Sequence, residues 1–169
     1  MEYREIIKYG HPTLHKRASE IENIDKKIVQ TAQNMVQIMH SAPGIGLAAP
    51  QINQSVRLIA VDLSVGERKE DLTILVNPVI LRKEGEDISE EGCLSVPQIE
   101  EKVKRPFHIQ IKGVDLEGKE KMFEAEGLKA RVFCHEVDHL DGKLFIDHLS
   151  PLKKNLIRKK LLKRMENEQ

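Results

Sequence analysis

The sequence is poor in cysteine, in net charge and in long apolar runs, and each of these absences excludes a class of protein. Only 2 cysteines occur in 169 residues, which is too few for a disulfide framework and fits a reducing, cytoplasmic setting. The 27 basic and 27 acidic residues cancel, so no overall field attracts DNA or a membrane surface. No apolar run could span a bilayer, and residues 1–5 do not begin a secretory signal.

The remaining composition is that of one globular domain. Apolar residues make up 40% and charged residues 32% of the chain, which separates it from disordered sequences. We find neither an internal repeat nor a low-complexity linker, and the chain is long enough to bury a core. The simplest prediction is therefore a single domain over residues 1–169.

Residues 26–40 are predicted to form an N-terminal helix. Their apolar residues recur at helical spacing, which indicates a helix packed on the outside of the core. Asp25 is in position to cap the helix, and Pro43 and Gly44 end it.

Strands are predicted from runs of β-branched and aliphatic residues. Two such runs cover residues 56–61 and 72–76. Residues 107–112 alternate between apolar and polar side chains, as a strand with one solvated face does. A turn at residues 115–118 should join this strand in a hairpin to a partner at 119–124.

The second predicted helix covers residues 128–140, and its apolar residues lie around much of the circumference, so it should be buried. It carries His135, Glu136 and His139 in the pattern H-E-x-x-H. Histidines at positions i and i+4 share one face of a helix. There they can hold one divalent metal, and the adjacent carboxylate can accept a proton from a water molecule, which is the chemistry of hydrolysis.

The motif by itself does not decide the function, since chance alone gives it in roughly 3 chains in 100 of this composition. A pair of hydrogen-bonded core histidines is the alternative interpretation. A catalytic metal site also needs a third protein ligand and one open position. In one protease class a histidine stands where this chain has Phe145, which cannot ligate. His148 lies just beyond, and Glu166 and Glu168 follow in a tail that tends to fray.

Cys93 is the strongest candidate for the third ligand. It lies in residues 90–97 (EEGCLSVP), whose glycine and proline predict a turn, so that its thiol can face a cleft. A thiolate beside a dication is deprotonated and is a good soft ligand. Cys134 points about 100° away from His135 around the helix, and we expect it to serve in packing.

The last segment, residues 151–169, is predicted to be a basic amphipathic helix. Ser150 is its expected N-cap, and Pro151 occupies the first helical position. One face should be an apolar stripe of Leu152, Leu156, Ile157, Leu161 and Leu162. The other face is basic and contains Lys153, Lys154, Arg158, Lys159, Lys160, Lys163 and Arg164. It is either the solvated face of a docked helix or a patch for a polyanion such as RNA.

Three blocks of the sequence together resemble the peptide deformylase family. They are residues 44–51 (GIGLAAPQ), 91–95 (EGCLS) and 135–140 (HEVDHL), in the order of the family and with approximately its separations. Residues 10–14 (GHPTL) also resemble the opening of the family. The resemblance extends over about residues 3–165, and the three blocks in combination are highly specific.

The resemblance implies that the chain removes the formyl group from the N-terminal formyl-methionine of newly made polypeptides and releases formate. It implies one divalent metal per chain, with Fe²⁺ as the native ion and Zn²⁺, Ni²⁺ or Co²⁺ able to substitute. Its partners would be formyl-methionine nascent chains, and the basic C-terminal helix makes the ribosome a candidate as well. The expected fold is α+β: mostly antiparallel sheets around a buried metal-binding helix, with an N-terminal helix and a C-terminal surface helix in a single catalytic domain.

The resemblance also assigns roles to individual residues. Three of them would hold the metal: Cys93, His135 and His139. Glu136 would move protons, while the Gln51 side-chain amide and the Leu94 backbone N–H would stabilise the oxyanion. The family usually has glutamine where this chain has Cys134, which removes no ligand but changes the surroundings of the first metal histidine.

The substrate would pair with the main chain at Ile45 and Gly46, where a backbone without Cβ allows close approach. Leu128 and Val132 are candidates for an apolar pocket that takes the methionine side chain. Glu91 and Arg105 are expected to form either an orienting ion pair or a simple surface pair.

Two other functions fit parts of the sequence. One is an H-E-x-x-H metallopeptidase that cleaves internal peptide bonds, although Phe145 argues against it. The other is a non-catalytic module in which a structural metal is closed by four protein ligands and the basic helix binds ribosomal RNA. Substrate assays distinguish the metallopeptidase from a deformylase. An open coordination position on the metal would exclude the non-catalytic module.

Overall fold

The structure, a computed structural model, describes residues 6–169. Residues 1–5 lie outside it, so it does not bear on the predicted absence of a secretory signal or on the start of the resemblance at residue 3. The described chain has three α-helices, and none is long and apolar enough to cross a membrane. The helices are α1 (Lys26–Ser41), α2 (Gly127–Leu140) and α3 (Pro151–Asn167). The strands are β1 (Gly46–Ala48), β2 (Leu58–Val61), β3 (Thr73–Glu84), β4 (Asp87–Cys93), β5 (Val96–Arg105), β6 (His108–Val114) and β7 (Glu120–Glu126).

All strand pairs are antiparallel and form two sheets, which confirms the predicted α+β class. The larger sheet has the order β1-β2-β3-β6-β7, and β4 and β5 form a separate hairpin. The predicted turn joins β6 to β7: the backbone N–H of Gly118 donates to the carbonyl of Asp115 at 3.0 Å. Gly118 has φ +85°, a conformation that glycine adopts without strain.

The predicted strands are present with shifted ends. β2 begins at Leu58, and β3 continues to Glu84, well beyond the predicted end at residue 76. The interruption lies at Asn77, which has φ 51° and breaks the apolar pattern at a register shift. Its side chain bonds both the N–H and the carbonyl of Ile21 at 2.9 Å, so the irregularity is held in place and the strand resumes after it.

The β4–β5 hairpin was missed by the sequence patterns, and the prediction of a turn over residues 90–97 was too broad. Only Leu94 and Ser95 form the turn, and Cys93 is the last residue of β4. The strands are rich in charged residues because much of the hairpin is exposed, and this composition conceals the alternation on which strand prediction depends.

Helix α1 agrees with its prediction. The Asp25 carboxylate accepts a hydrogen bond from the Ile28 N–H at 3.0 Å and caps the first turn. The buried face of the helix consists of Ala32, Met35, Ile38 and Met39, which pack in a cluster with residues of β1 and β2. Its other face is exposed, as expected for a helix on the outside of the sheet.

Helix α2 is the buried helix of the fold, and it packs against β1, β2 and β7. Phe133 and Leu140 are fully buried within it. Its C-terminal end is fixed by Arg57, which donates to the Leu140 carbonyl at 2.9 Å. Gly142 ends the helix with φ +74°, and a Cβ there would lie 2.9 Å from the backbone of residues 15–16. These contacts fix the C-terminal end of the helix.

Helix α3 begins as predicted, since the Ser150 hydroxyl accepts from the Lys153 N–H at 3.3 Å. The predicted apolar stripe is wrong in part: only Ile157 and Leu161 are buried. Leu152, Leu156 and Leu162 are 71%, 58% and 44% exposed. The reason is that α3 touches the body along one narrow edge, against β5 and the short helix Phe145–His148, which cannot cover a stripe of five residues.

Candidate metal centre and active site

Three potential metal ligands converge where the β4–β5 hairpin meets α2. Cys93 comes from the end of β4, and His135 and His139 come from successive turns of α2. The Cys93 Sγ lies 3.4 Å from the His139 Nε2. One ligand atom from each of the three residues lies within 4.8 Å of the others. The arrangement joins the two histidines of the motif to the thiol that the sequence favoured as third ligand.

The residues of this group fit a divalent cation. A thiolate and two imidazoles suit a tetrahedral ion with a fourth position for a small molecule. His135 bonds Glu91 through Nδ1, which leaves its Nε2 directed at the group. Within residues 6–169, the buried side-chain atoms without a hydrogen-bond partner are Glu136 Oε2 and His139 Nδ1, both at this site.

The electrostatics of the group favour the metal-binding form of the cysteine. Burial alone would raise the pKa of the Cys93 thiol, but the imidazoles of His139 and His135 outweigh burial and hold that pKa well below its usual value. The thiolate is the form that binds a metal. Burial lowers the pKa of His135, yet the neighbouring sulfur and the Glu91 carboxylate raise it well above its usual value.

A buried carboxylate, that of Glu91, holds the centre together. Its oxygens accept from Arg105 at 2.7 and 3.0 Å, from Arg131 at 2.8 Å and from His135 Nδ1 at 3.0 Å. Glu91 and Arg105 are 7% and 4% exposed, so the alternative of a simple surface pair is wrong. Burial would raise the pKa of Glu91, but the bonds from His135 and Arg105 outweigh it and hold the pKa at about 2.

The other proposed third ligands lie elsewhere. His148 contacts the Asp138 carboxylate at 2.6 Å and Arg105 at 3.2 Å, so it is an outer member of the ion network. Phe145 is buried with its ring stacked on that of His135, at 6.2 Å between centroids. Glu166 and Glu168 are exposed at the end of α3.

Gln51 is held with its amide directed at the centre. Its Oε1 accepts from the Ala48 N–H at 3.0 Å, which fixes the orientation of the side chain. Its Nε2 then donates to Ser95 Oγ at 3.2 Å and lies 3.7 Å from Cys93 Sγ. Leu94 follows Cys93 in the turn, and its carbonyl accepts from Lys8 Nζ at 2.8 Å.

Glu136 lies beneath the strand that contains Gly46. A Cβ on Gly46 would lie 2.8 Å from both Glu136 Oε1 and Val132 Cγ1, so only glycine allows the strand to approach the helix this closely. The carboxyl group is 3% exposed. Burial raises its pKa to about 7, although His135 and His139 partly oppose the shift. A carboxyl with this pKa can both accept and donate a proton near neutral pH.

A cavity of about 1160 Å³ opens over these residues. It is lined by the segment before and at the start of β1, by the end of β4 and the first part of β5, and by α2. The four predicted substrate residues all line it: Ile45, Gly46, Leu128 and Val132. Leu128 is half-exposed at the rim, whereas Val132 is buried.

Several residues of the site were not found from the sequence. Arg131 had a usable signal, since it is an arginine on a buried helix, one turn before His135 and on the same face. Ser95 and Lys8 carry no comparable signal, because their partners are distant in sequence. Cys134 is 4% exposed among core residues, and burial raises its pKa to about 11, which agrees with its predicted packing role.

Comparison with protein families gives one match over most of the chain. The model described as polypeptide deformylase matches residues 3–155. A peptide deformylase of Thermodesulfovibrio yellowstonii is 49% identical over 156 residues, which are 92% of this chain and 94% of the relative. One from Syntrophobacter fumaroxidans is 41% identical, over 96% of this chain and 95% of the relative.

Solved structures of peptide deformylases have the same fold as this chain. The crystal structure of a peptide deformylase from Legionella pneumophila superposes with a TM-score of 0.87 at 38% identity, covering 97% of both chains. That of the enzyme from Thermus thermophilus also has a TM-score of 0.87 at 38% identity, covering 98% of this chain and 99% of its own. A Synechococcus elongatus enzyme crystallised with actinonin matches with a TM-score of 0.86 at 37% identity, covering 92% of this chain and 85% of its own.

Replacing Glu91 by glutamine should strongly destabilise the fold, because it leaves buried arginines without their shared counter-charge. We expect a loss of about 3–5 kcal/mol in the unfolding free energy of the metal-free protein, measured with urea at pH 7. The contribution of Glu91 is present above the pKa of an unfolded glutamate and should disappear as the pH falls towards 2. Its exposed neighbour provides the control: Glu90→Gln should change stability by less than about 0.5 kcal/mol. Equal stabilities of the two variants would contradict the role of Glu91.

Proposed function

The chain belongs to the polypeptide deformylase family, and from this premise we propose that it is a metal-dependent hydrolase that removes the N-formyl group from the formyl-methionine of nascent polypeptides and releases formate. The convergence of Cys93, His135 and His139 beside a buried Glu136 is the observation that carries the proposal. Members of this family are enzymes, which argues against a non-catalytic module.

Cys93, His135 and His139 would hold one divalent cation per chain, with Fe²⁺ as the native ion and Zn²⁺, Ni²⁺ or Co²⁺ as substitutes. When bound, the cation supplies Lewis acidity and lowers the pKa of water in the site towards neutrality. The protein supplies the orientation of its ligands. Glu91 holds the His135 ring by its Nδ1, and Arg105 and Arg131 hold Glu91 in turn.

Glu136 is the proposed proton carrier. Its Oε1 lies 3.9 Å from His135 Nε2, and its Oε2 has no hydrogen-bond partner among the described residues, so the carboxylate can bind a water molecule beside the ligand group. It would take a proton as that water attacks the formyl carbon, and would deliver it to the leaving amine. A pKa raised to about 7 by burial suits both steps.

Gln51 and Leu94 are the proposed oxyanion donors. The Gln51 amide is fixed by its bonds to Ala48 and Ser95 before any substrate arrives. Leu94 occupies the two-residue turn after Cys93, with its carbonyl held by Lys8. Donors held in advance stabilise developing charge without reorganisation at the moment of reaction.

The substrate main chain would extend along Ile45 and Gly46 as an added strand. This segment forms a cavity wall, and the Ile45 carbonyl is itself anchored by the Asp62 N–H at 2.9 Å. The methionine side chain would pack on buried Val132 and on Leu128 at the cavity rim. Phe145 stands where one metallopeptidase class has its third histidine, and it is buried against His135 and cannot ligate, which argues against that alternative.

Formate release from a formyl-methionine peptide by anaerobically prepared protein tests the proposal, with Glu136→Gln beside it. The amide cannot accept a proton, so we expect kcat to fall by about 100- to 10,000-fold while metal content stays the same. For the active enzyme, kcat/KM should decline as the pH falls, because the base works when deprotonated. That acidic limb should lie at or below pH 7, since a bound cation favours the carboxylate. An active Gln variant would refute the role of Glu136, and an inactive wild type would refute the function.

We also propose that α3 contacts the ribosome. Lys153 and Lys154 already pair with Glu101 and Asp147 at 3.3 and 2.7 Å. Four other basic residues have neither an ion pair nor a side-chain hydrogen bond among the described residues: Arg158, Lys159, Lys160 and Lys163. Unpaired cations on an exposed helix face are available to the phosphates of ribosomal RNA.

Neutralising Lys159 and Lys163 to glutamine should weaken ribosome binding several-fold in a co-sedimentation assay at low salt, because their attraction for phosphate is lost. Turnover of a free formylated peptide should stay within about two-fold of the wild type, since neither side chain lines the cavity. The matched control changes Lys153 and Lys154, whose charges are already paired. An equal loss in both double variants would argue against a specific basic surface.

A further inference from the structure

The first residues of β5 form an irregular wall of the cavity. In the β4–β5 hairpin Cys93 pairs with Val96, but the preceding Gly92 pairs with Glu100. Residues 97–99 therefore bulge out of the ladder. Gln98 at the centre has φ 63°, a left-handed conformation that costs energy for a residue with a side chain. The bulge needs support from outside the hairpin.

That support comes from the last turns of α3. Arg164 Nη1 donates to the Pro97 carbonyl at 2.8 Å. Among the side-chain hydrogen bonds of residues 6–169, this is the one that reaches the bulge. Ile99 is buried in one cluster with Ile157 and Leu161 of α3, so the bulge is held by a polar contact at one end and an apolar contact at the other.

The end of α3 is itself fixed. A Cβ on Gly10 would lie 2.5 Å from Met165 Cε, which shows how closely the N-terminal segment packs on the residue after Arg164. Tyr9, next to Gly10, donates its N–H to the Ser95 carbonyl at 2.8 Å. The end of α3 and the turn after Cys93 are thus tied to the same short segment, which places the backbone of Arg164 next to the bulge.

The bulge lines two neighbouring spaces. Gln98, Ile99 and Glu100 line the catalytic cavity and also a smaller groove of about 200 Å³ between β5 and α3. Leu156 and Lys160 of α3 line the far side of this groove. A peptide bound with its formyl end near Glu136 would meet the bulge with residues that follow the methionine.

We propose that Arg164 is a positioning residue for the substrate: its bond to Pro97 holds the bulge in the shape that binds the peptide beyond the formyl-methionine. This inference rests on the proposed deformylase function and goes beyond it, because it gives the C-terminal helix a part in substrate binding apart from any ribosome contact. Arg164 touches none of the reacting atoms, so its loss should raise KM and leave kcat nearly unchanged.

Arg164→Met tests the proposal, since methionine keeps an apolar stem without a donor. Losing one hydrogen bond corresponds to about a five-fold change in an equilibrium. We expect KM for a formylated tetrapeptide to rise about five-fold while kcat and the KM for a formylated dipeptide stay within two-fold. Arg164→Lys should recover part of the loss. Arg158→Met removes an exposed arginine of the same helix that has no partner among the described residues, and its KM and kcat for both free peptides should stay within two-fold of the wild type.

Hydrogen exchange of the metal-loaded proteins gives a readout that does not require activity. The amides of residues 98–100 should exchange faster in Arg164→Met than in the wild type or in Arg158→Met. Unchanged exchange and unchanged KM would overturn the proposal. An equal fall in kcat for both peptides, with a lower melting temperature, would also overturn it, since that pattern marks a general structural role. An inactive wild type would refute the proposed function, and the exchange comparison would still decide whether Arg164 holds the bulge.

Discussion

The buried carboxylate of Glu91 is the contact on which the site depends, because it joins the two elements that carry the potential metal ligands. Glu91 lies on β4, two residues before Cys93, and it binds His135 of α2 directly. Arg105 from β5 and Arg131 from α2 supply the compensating charge. Burying these groups is costly unless all of them are paired. The cost also makes the arrangement specific, since any shift between hairpin and helix would leave an unpaired charge.

The second constraint is the closeness of β1 to α2. The strand approaches so closely at Gly46 that Glu136 and Val132 pack directly against its backbone. This packing buries the carboxyl group, and burial raises its pKa to about 7. Because the acid is buried, it can exchange protons near neutral pH. The contact between β1 and α2 therefore determines both the packing of the helix and the pKa of Glu136.

The parts of the fold that the sequence predicted are those governed by local rules. Asp25 caps α1, Gly118 forms the turn between β6 and β7, and the apolar residues of α2 bury it. Hairpin β4–β5 was not predicted because its charged composition masks the strand pattern. The pairing of Glu91 with Arg105 was expected, but its pairing with Arg131 was missed because the two residues lie 40 positions apart, which no local spacing encodes. On α3, only the tertiary contacts decide that Ile157 is buried and Leu152 is exposed.

The central claim is that the hairpin thiol and the helix imidazoles share one cation, and absorption spectroscopy of the Co²⁺-loaded protein tests it most directly. A thiolate ligand gives cobalt a charge-transfer band in the near ultraviolet. We predict one Co²⁺ per chain and such a band, which Cys93→Ala abolishes. The band should persist in Cys134→Ala, which removes the other cysteine, and in His148→Ala. A band that survives Cys93→Ala, or that disappears in Cys134→Ala, would contradict the account.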